Sequence, residues 1–279
     1  MIEAFWDSVD GKLHYIDVGR DGVVWGTNGA KSIFYRQGVT AKTTAGTKWV
    51  ETNGKGTFIA NCPTGMSFVV GPSSKLWFRT GTTDENFIGS NWAKVSEDAS
   101  ITSISCGRGG FFVALIAGVP YGRIGVDVDV PQGTSWEKLT HMARPKMTTI
   151  AIGEDGDVWA SFDNDKHEVI RATGIDDKFE IYGKAAVSVY GKEMDQVNIG
   201  RGQVWGVDKY KEIYRRKFTA ANPDGVEWEQ IPGSMRWVST AEEGIVWALD
   251  DEDDIWIWEE GKISVEEIVR NEKVGFKKV

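Results

Sequence analysis

Histidine, cysteine and proline are scarce in this chain, with three, two and seven among 279 residues. The histidines, at 14, 141 and 167, show no metal-pair spacing such as H-x-x-x-H and lie in no nucleophile motif, so the expectation is a protein that is not an enzyme and holds no metal or cofactor. Cys62 and Cys106 form no C-x-x-C pair, and two thiols are too few for a zinc site or a disulfide framework. Long apolar runs are missing too. The longest, Phe111 to Val119, has nine residues, well short of the roughly 20 that a spanning helix needs. Runs of lysine or arginine are absent, and 41 acidic against 32 basic residues give a net charge of -9, which argues against nucleic acid or anionic membranes as partners. The opening MIEAFWDSVDG has no basic region or apolar core of a secretory leader, and no Asn-x-Ser/Thr acceptor occurs. A cytoplasmic or unconventionally exported protein is therefore expected, with a secreted mature form as the alternative.

Glycine and tryptophan are plentiful, 33 and 13 respectively, and they recur in register. The segments YIDVGRDGVVWG (15–26), TIAIGEDGDVWA (149–160) and VNIGRGQVWG (197–206) each read as two short strands around a glycine-bearing turn. Aligning the residue that ends the first strand pairs Val18, Cys62, Cys106, Ile152, Ile199 and Thr240. The next strand then places Trp25, Val69, Val113, Trp159, Trp205 and Trp247 at one position. A third strand follows as IFYR (33–36), LWFR (76–79), EVIR (168–171) and EIYR (212–215), with YGR (121–123) a weaker copy and IWIW (255–258) lacking the arginine. Fourth strands carry Trp6, Trp49, Trp92, Trp136 and Trp228, the first four spaced by 43, 43 and 44 residues; Tyr182 or a neighbour fills the gap before Trp228.

Six units of four short strands predict an all-β fold, a six-bladed β-propeller of four-stranded antiparallel blades. One blade cannot bury both its faces alone, whereas a closed ring stacks each blade on two neighbours. The 279 residues are read as one domain, 1–279, with repeats at 6–48, 49–91, 92–135, 136–181, 182–227 and 228–279. Two segments compete for the last outer strand: residues 5–9, and VGFKKV at 274–279. The N-terminal strand is expected to close the ring, leaving the tail from 263 to cross blade 6 or reach a neighbour. Cys62 and Cys106, aligned with Val18 and Ile152, are expected to be small core hydrophobes.

The run V-G-x-D-G-x-V-W-G-x-N followed by I-Y-x-R resembles the tectonin repeat of the tachylectin-1, fish-egg lectin and fungal and slime-mould tectonin group, plainly in repeats 1, 4, 5 and 6 and weakly in 2 and 3. The resemblance implies a non-enzymatic, multivalent lectin that recognises surface glycans, in defence or agglutination. Carried over onto this chain, its motif residues are Trp25, Gly26, Asn28 and Arg36 in repeat 1 and Trp205, Gly206, Asp208 and Arg215 in repeat 5. Trp159, Arg171 and Trp247 complete the candidate ligand set. The physical logic is that an aromatic face stacks on the apolar face of a sugar ring while Arg, Asn or Asp bonds its hydroxyls. Each tryptophan also has a bland reading as inter-blade core. Repeats 2 and 3 lose the tryptophan and repeat 6 the arginine, so three or four working sites are expected. An intracellular propeller docking protein partners is the alternative, favoured by thiols read as unpaired; an assembly protein is a third reading, and oligomer formation is left open.

Two other motifs read as structure. Asp250 to Asp254 lacks the D-x-D-x-D-G order of a calcium loop and aligns with hairpin turns at 28–32 and 208–211. The glycine pairs, such as Gly19 with Gly22, precede no helix and so read as turns rather than phosphate cradles.

Overall fold

The computed structural model describes residues 6–259, apart from 20–21, 41, 63, 84–85, 96–99, 108–110, 128, 141, 143–146, 154–155, 163–167, 173–185, 201, 220 and 241–243. His141, His167, Tyr182 and the tail from 263 lie outside the described residues. After β1 (Asp7–Lys12), blade 1 comprises β2 (Tyr15–Val18), β3 (Val24–Thr27), β4 (Ser32–Gln37) and β5 (Lys48–Lys55). Blade 2 follows with β6 (Phe58–Asn61), β7 (Ser67–Val70), β8 (Leu76–Thr80) and β9 (Asn91–Lys94). Blade 3 has β10 (Ile101–Cys106), β11 (Phe112–Ile116), β12 (Val119–Ile124) and β13 (Ser135–Lys138), and blade 4 has β14 (Met147–Ile152), β15 (Val158–Phe162), β16 (Val169–Ala172) and β17 (Val187–Val189). Blade 5 is β18 (Gln196–Gly200), β19 (Gln203–Val207), β20 (Ile213–Lys217) and β21 (Glu229–Ile231); β22 (Trp237–Thr240), β23 (Ile245–Leu249) and β24 (Asp254–Glu259) start blade 6. Each sheet is a four-stranded antiparallel meander, and the sixth takes β1 as its outer strand.

The N-terminal strand therefore closes the ring, as expected. Asp7, Ser8 and Val9 pair with Ile257, Trp256 and Ile255. Trp6, almost fully buried, donates its indole N–H to the Pro232 carbonyl of blade 5 at 2.8 Å. The second strands β3, β7, β15 and β19 are buried at every position. A strand stacked between two blades hides both faces, so one-sided alternation gives way to a continuous apolar run.

First strands touch the first strands of both neighbouring blades and so line the central channel. Side chains stitch them together there. Asp17 Oδ2 accepts from the Asn61 N–H at 2.8 Å, Ser105 Oγ from Ile152 at 3.1 Å, Asn198 Oδ1 from Thr240 at 2.9 Å and Ser239 Oγ from Val18 at 3.0 Å. Between blades 4 and 5, where Ala151 has no polar atom, Thr149 Oγ1 accepts from Val197 at 3.2 Å. Blades 2 and 3 are joined covalently. Cys62 and Cys106, expected as inert core thiols, form a disulfide with an S–S distance of 2.02 Å and Cα atoms 4.9 Å apart. The repeat geometry explains the bond: Cys62 stands one residue past the first strand, at the turn position of Gly19 and Gly107, and that position of one blade lies against the strand end of the next, as Gly19 lies against Asn61.

Candidate functional site

The four candidate tryptophans all serve the stacking of blades. Trp25, Trp159, Trp205 and Trp247 are at most 1% exposed, and each packs into the following blade: Trp25 against Ile59 and Val69, Trp159 against Val197 and Ile199, Trp205 against Val238 and Val246, Trp247 against Ile16 and Val18. None offers a ring face to solvent. Phe68, not Val69, holds this position in blade 2, because it faces Phe112 of blade 3 while Val69 faces back toward Trp25. Asn28 and Asp208 build turns. Asn28 Oδ1 accepts from the Ser32 N–H at 2.9 Å, and Asp208 Oδ1 from Tyr210 and Glu212 at 2.9 and 3.0 Å. Asp250 does the same for Glu252 and Asp254, which makes the acidic run the expected turn.

The third-strand arginines fall into two classes that the sequence merges. Arg36, Arg79 and Arg123 stand directly across from Trp49, Trp92 and Trp136 of the fourth strand, with guanidinium carbons 5.3, 5.0 and 5.0 Å from the ring centres. In blade 5 this role belongs to Arg216, 5.6 Å from Trp228. Nε of each donates to the carbonyl just before a positive-φ glycine in the following loop: Ala45 before Gly46, Ile88 before Gly89, Gln132 before Gly133, Asp224 before Gly225. Those loops share a turn, Thr40/Thr43, Thr83/Asn86, Asp127/Val130 and Thr219/Asn222, so blades 1, 2, 3 and 5 carry four equivalent arginine–tryptophan–loop units. Arg171 and Arg215, aligned with Arg36 by sequence, sit one residue out of register, opposite Trp159 and Trp205 of the second strand. A one-residue slip sends a strand side chain to the other face. They point toward the next blade: Arg171 Nη1 reaches Asp224 at 2.6 Å, and Arg215 lies 5.3 Å from the ring centre of Trp258.

A groove of about 1,080 Å³ opens between blades 1 and 2, on the ring face bearing the first-to-second turns and third-to-fourth loops. Tyr35, Arg36, Gln37, Thr82, Thr83 and Phe87 line it. Phe87 is 39% exposed and meets Tyr35 edge-on at 6.3 Å. Arg36 is 5% exposed; its Nη2 pairs with Asp10 at 2.7 Å, while its buried Nη1 has no hydrogen-bond partner among the described residues. A desolvated guanidinium N–H without an acceptor is costly unless something bonds it. Volume, aromatic wall and convergent polar groups match a small-ligand site.

A second groove, of about 610 Å³, lies on the opposite ring face between blades 4 and 5, where Tyr190, Lys192, Glu193, Asp208, Lys209 and Tyr210 meet. Its charges are mutually engaged. Lys192 Nζ contacts Asp208 at 3.2 Å and Glu212 at 3.5 Å, and Lys209 faces Glu193 at 3.6 Å. Burial works against the Lys192 charge, but hydrogen bonds to Tyr214 and Asp208 raise its pKa above the ordinary lysine value. Glu212, bonded by the Tyr214 hydroxyl at 2.6 Å, is held below the usual carboxylate value. Sequence reasoning missed Phe87, Tyr190 and Tyr210. Their signal is departure from the repeat, whereas a repeat alignment weights the residues that obey it.

A family model of the Tectonin domain matches residues 3–161 and again 145–269. No curated protein matches the chain. Solved propellers superpose on it at low identity: the Cps50 (Swd1) β-propeller domain of Myceliophteria thermophila at 9% identity and TM-score 0.58, covering 91% of this chain and 99% of that one; human WBSCR16 at 11% and 0.57, covering 90% and 78%; and YCF48 bound to D1 peptide at 13% and 0.53, covering 88% and 78%. Such identities speak for the fold alone. The family match spans nearly every blade, and the chain belongs to the Tectonin domain family.

Proposed function

We propose that this protein is a non-enzymatic, multivalent lectin that binds surface glycans in the grooves between blades. The observation that carries the reading is the groove between blades 1 and 2, where the exposed Phe87 ring shares one concave surface with the exposed polar side chains of Gln37 and Thr83. An aromatic face beside a hydrogen-bond donor suits a pyranose ring, which is apolar on one face and hydroxylated at its edge. Four equivalent arginine–tryptophan–loop units repeat the framework of this groove at fixed spacing, and avidity on a repetitive surface would multiply weak affinities by roughly 10²–10⁴ wherever more than one of them binds. A disulfide between Cys62 and Cys106 persists best in an oxidising milieu, which supports reading the protein as exported rather than cytoplasmic. With no unpaired thiol among the described residues, the argument for an intracellular docking platform weakens.

A glycan array including bacterial polysaccharides tests this, repeated with Phe87→Ala and Gln37→Ala, whose side chains lie at the groove rather than between blades. Saturable binding that falls in folded variants upholds the lectin. A blank array from folded protein refutes it and favours a protein-docking ring, in keeping with the peptide-bound YCF48 neighbour.

A further inference from the structure

The repeat supplies its own control for the second groove. In blades 6 and 1 the residue preceding a positive-φ glycine of the fourth strand caps the next blade's arginine: Asp10 before Gly11 binds Arg36 at 2.7 Å, and Asn53 before Gly54 binds Arg79 at 2.6 Å. At the matching place before Gly191 stands Tyr190. Its carbonyl still receives the next arginine, Arg216 Nη1, at 3.3 Å, but its side chain leaves the interface and is 79% exposed. Tyr210 is a second departure. It occupies the hairpin position held by Ala30 in blade 1 and Glu252 in blade 6, and it is 71% exposed. These two independent departures line one groove.

We infer that the blade 4–5 groove is a second ligand site, which takes an uncharged saccharide between Tyr190 and Tyr210 on the ring face opposite the first. Its two lysines are engaged by Asp208, Glu212 and Glu193, and its carboxylates outnumber them, so no cation is left to select an anionic ligand. What is left is the exposed Tyr190 ring, the Tyr210 ring with Lys209 Nζ over it at 5.2 Å, and a rim of polar atoms, the complement of a neutral polyhydroxylated ring. A volume of about 610 Å³ falls within the range of roughly 300–1,000 Å³ usual for small-ligand pockets. Sites on both faces would let one molecule bridge two glycan surfaces. The choice of saccharide as ligand class rests on the lectin reading; the location of the site does not.

The chain has seven tyrosines, few enough to resolve individually by fluorine NMR after 3-fluorotyrosine labelling. Cellotriose and triacetylchitotriose serve as probes, with Tyr190→Phe and Tyr210→Phe assigning the two resonances. Saturable shifts confined to these two, with affinity falling about two- to tenfold in folded Tyr190→Ala or Tyr210→Ala as expected for loss of a stacked aromatic, support the second site. If Phe87→Ala abolishes saccharide binding and neither tyrosine resonance moves, the second site is overturned while the lectin stands. If the tyrosine variants lose binding and Phe87→Ala does not, the second site holds and the first falls. Unmoved tyrosine resonances in a protein that binds no saccharide, or that engages a protein through this groove instead, overturn the inference.

Discussion

Replacing Asp17 by Asn should stabilise the ring at pH 8 and leave it nearly unchanged near pH 4.5. Asp17 lies half-buried at the channel, where desolvation pushes its pKa up to about 7 from the ordinary 3.8 despite hydrogen bonds from Asn61, Ser239 and Val18. Between those values the folded protein holds a proton that the unfolded chain has released, so stability falls as pH rises from about 4 to about 7 and levels off above. The full displacement corresponds to about 4 kcal/mol at 1.36 kcal/mol per pH unit, and screening by channel water reduces it to about 2–3 kcal/mol. An asparagine keeps the Asn61 bond, its oxygen accepting from that N–H as Oδ2 does at 2.8 Å, and reverses the Ser239 bond, its amide nitrogen donating to the Oγ that now donates to Oδ1 at 3.1 Å. Thermal melts of both proteins at pH 4.5, 6 and 8 read the effect. For a chain of this size the variant should gain roughly 5 °C or more at pH 8. A variant less stable than wild type at pH 8, or one with the same pH slope, would show that the charge is well solvated and the argument wrong.

Reducing the Cys62–Cys106 bond, which closes a separation of 44 residues, should remove about 4 kcal/mol by loop entropy and lower the melting temperature by roughly 7 °C; calorimetry with and without reductant, and Cys62→Val/Cys106→Val insensitive to it, checks this. Gly54→Ala should destabilise by about 2 kcal/mol or more, because the residue sits at φ 93° and a Cβ would stand 2.8 Å from Trp92 Cδ1; urea unfolding measures it. Arg79→Ala should lose about 2–4 kcal/mol in the same assay, since the guanidinium packs between Trp25 and Trp92 and donates to Ile88 and Asn53; Arg79→Lys, with no planar fork, should recover little of it.

The ring was legible because its signal is repetition. Five of the six first-strand ends, the fourth-strand tryptophans and the N-terminal closure all follow from spacing, and spacing survives local substitution. Register was less legible. EIYR at 212–215 matches IFYR at 33–36 letter for letter at its last two positions, yet the structural partner of Arg36 is Arg216, because blade 5 places two arginines in succession and only pairing with Trp228 selects one. The missing aromatic of blade 4 is explained from the same geometry. Continuing the pairing of Arg171 with Val187 sets Ala172 opposite Ala186, so arginine and tryptophan were lost together and two alanines fill the place. The disulfide was hidden by a one-residue slip of the alignment in blade 2, where Asn61 and not Cys62 ends the first strand. The turn position of one blade lies against the strand end of the next, which brings Cys62 to Cys106 as it brings Gly19 to Asn61.

That distinction separates structural departures from functional ones. In blade 6, Trp258 stands where other blades have arginine, and Arg215 of blade 5 supplies the missing cation at 5.3 Å, so the interface keeps its cation–aromatic pair from the other side. Phe68 replaces a tryptophan in blade 2 and is answered by Phe112 at 4.5 Å. Each of these changes has a partner that restores packing. Tyr190 has none of that kind, its ring standing mostly in water where Asp10 and Asn53 bind arginines, and Tyr210, 71% exposed, meets the Lys209 ammonium at 5.2 Å without packing into a blade interface. Ordering an exposed aromatic gains a ring almost nothing in stability, and large exposed aromatics that share a concave surface are the residues from which interfaces draw most of their binding energy. In a repeat protein, the places to look for binding are therefore the departures that packing leaves unanswered.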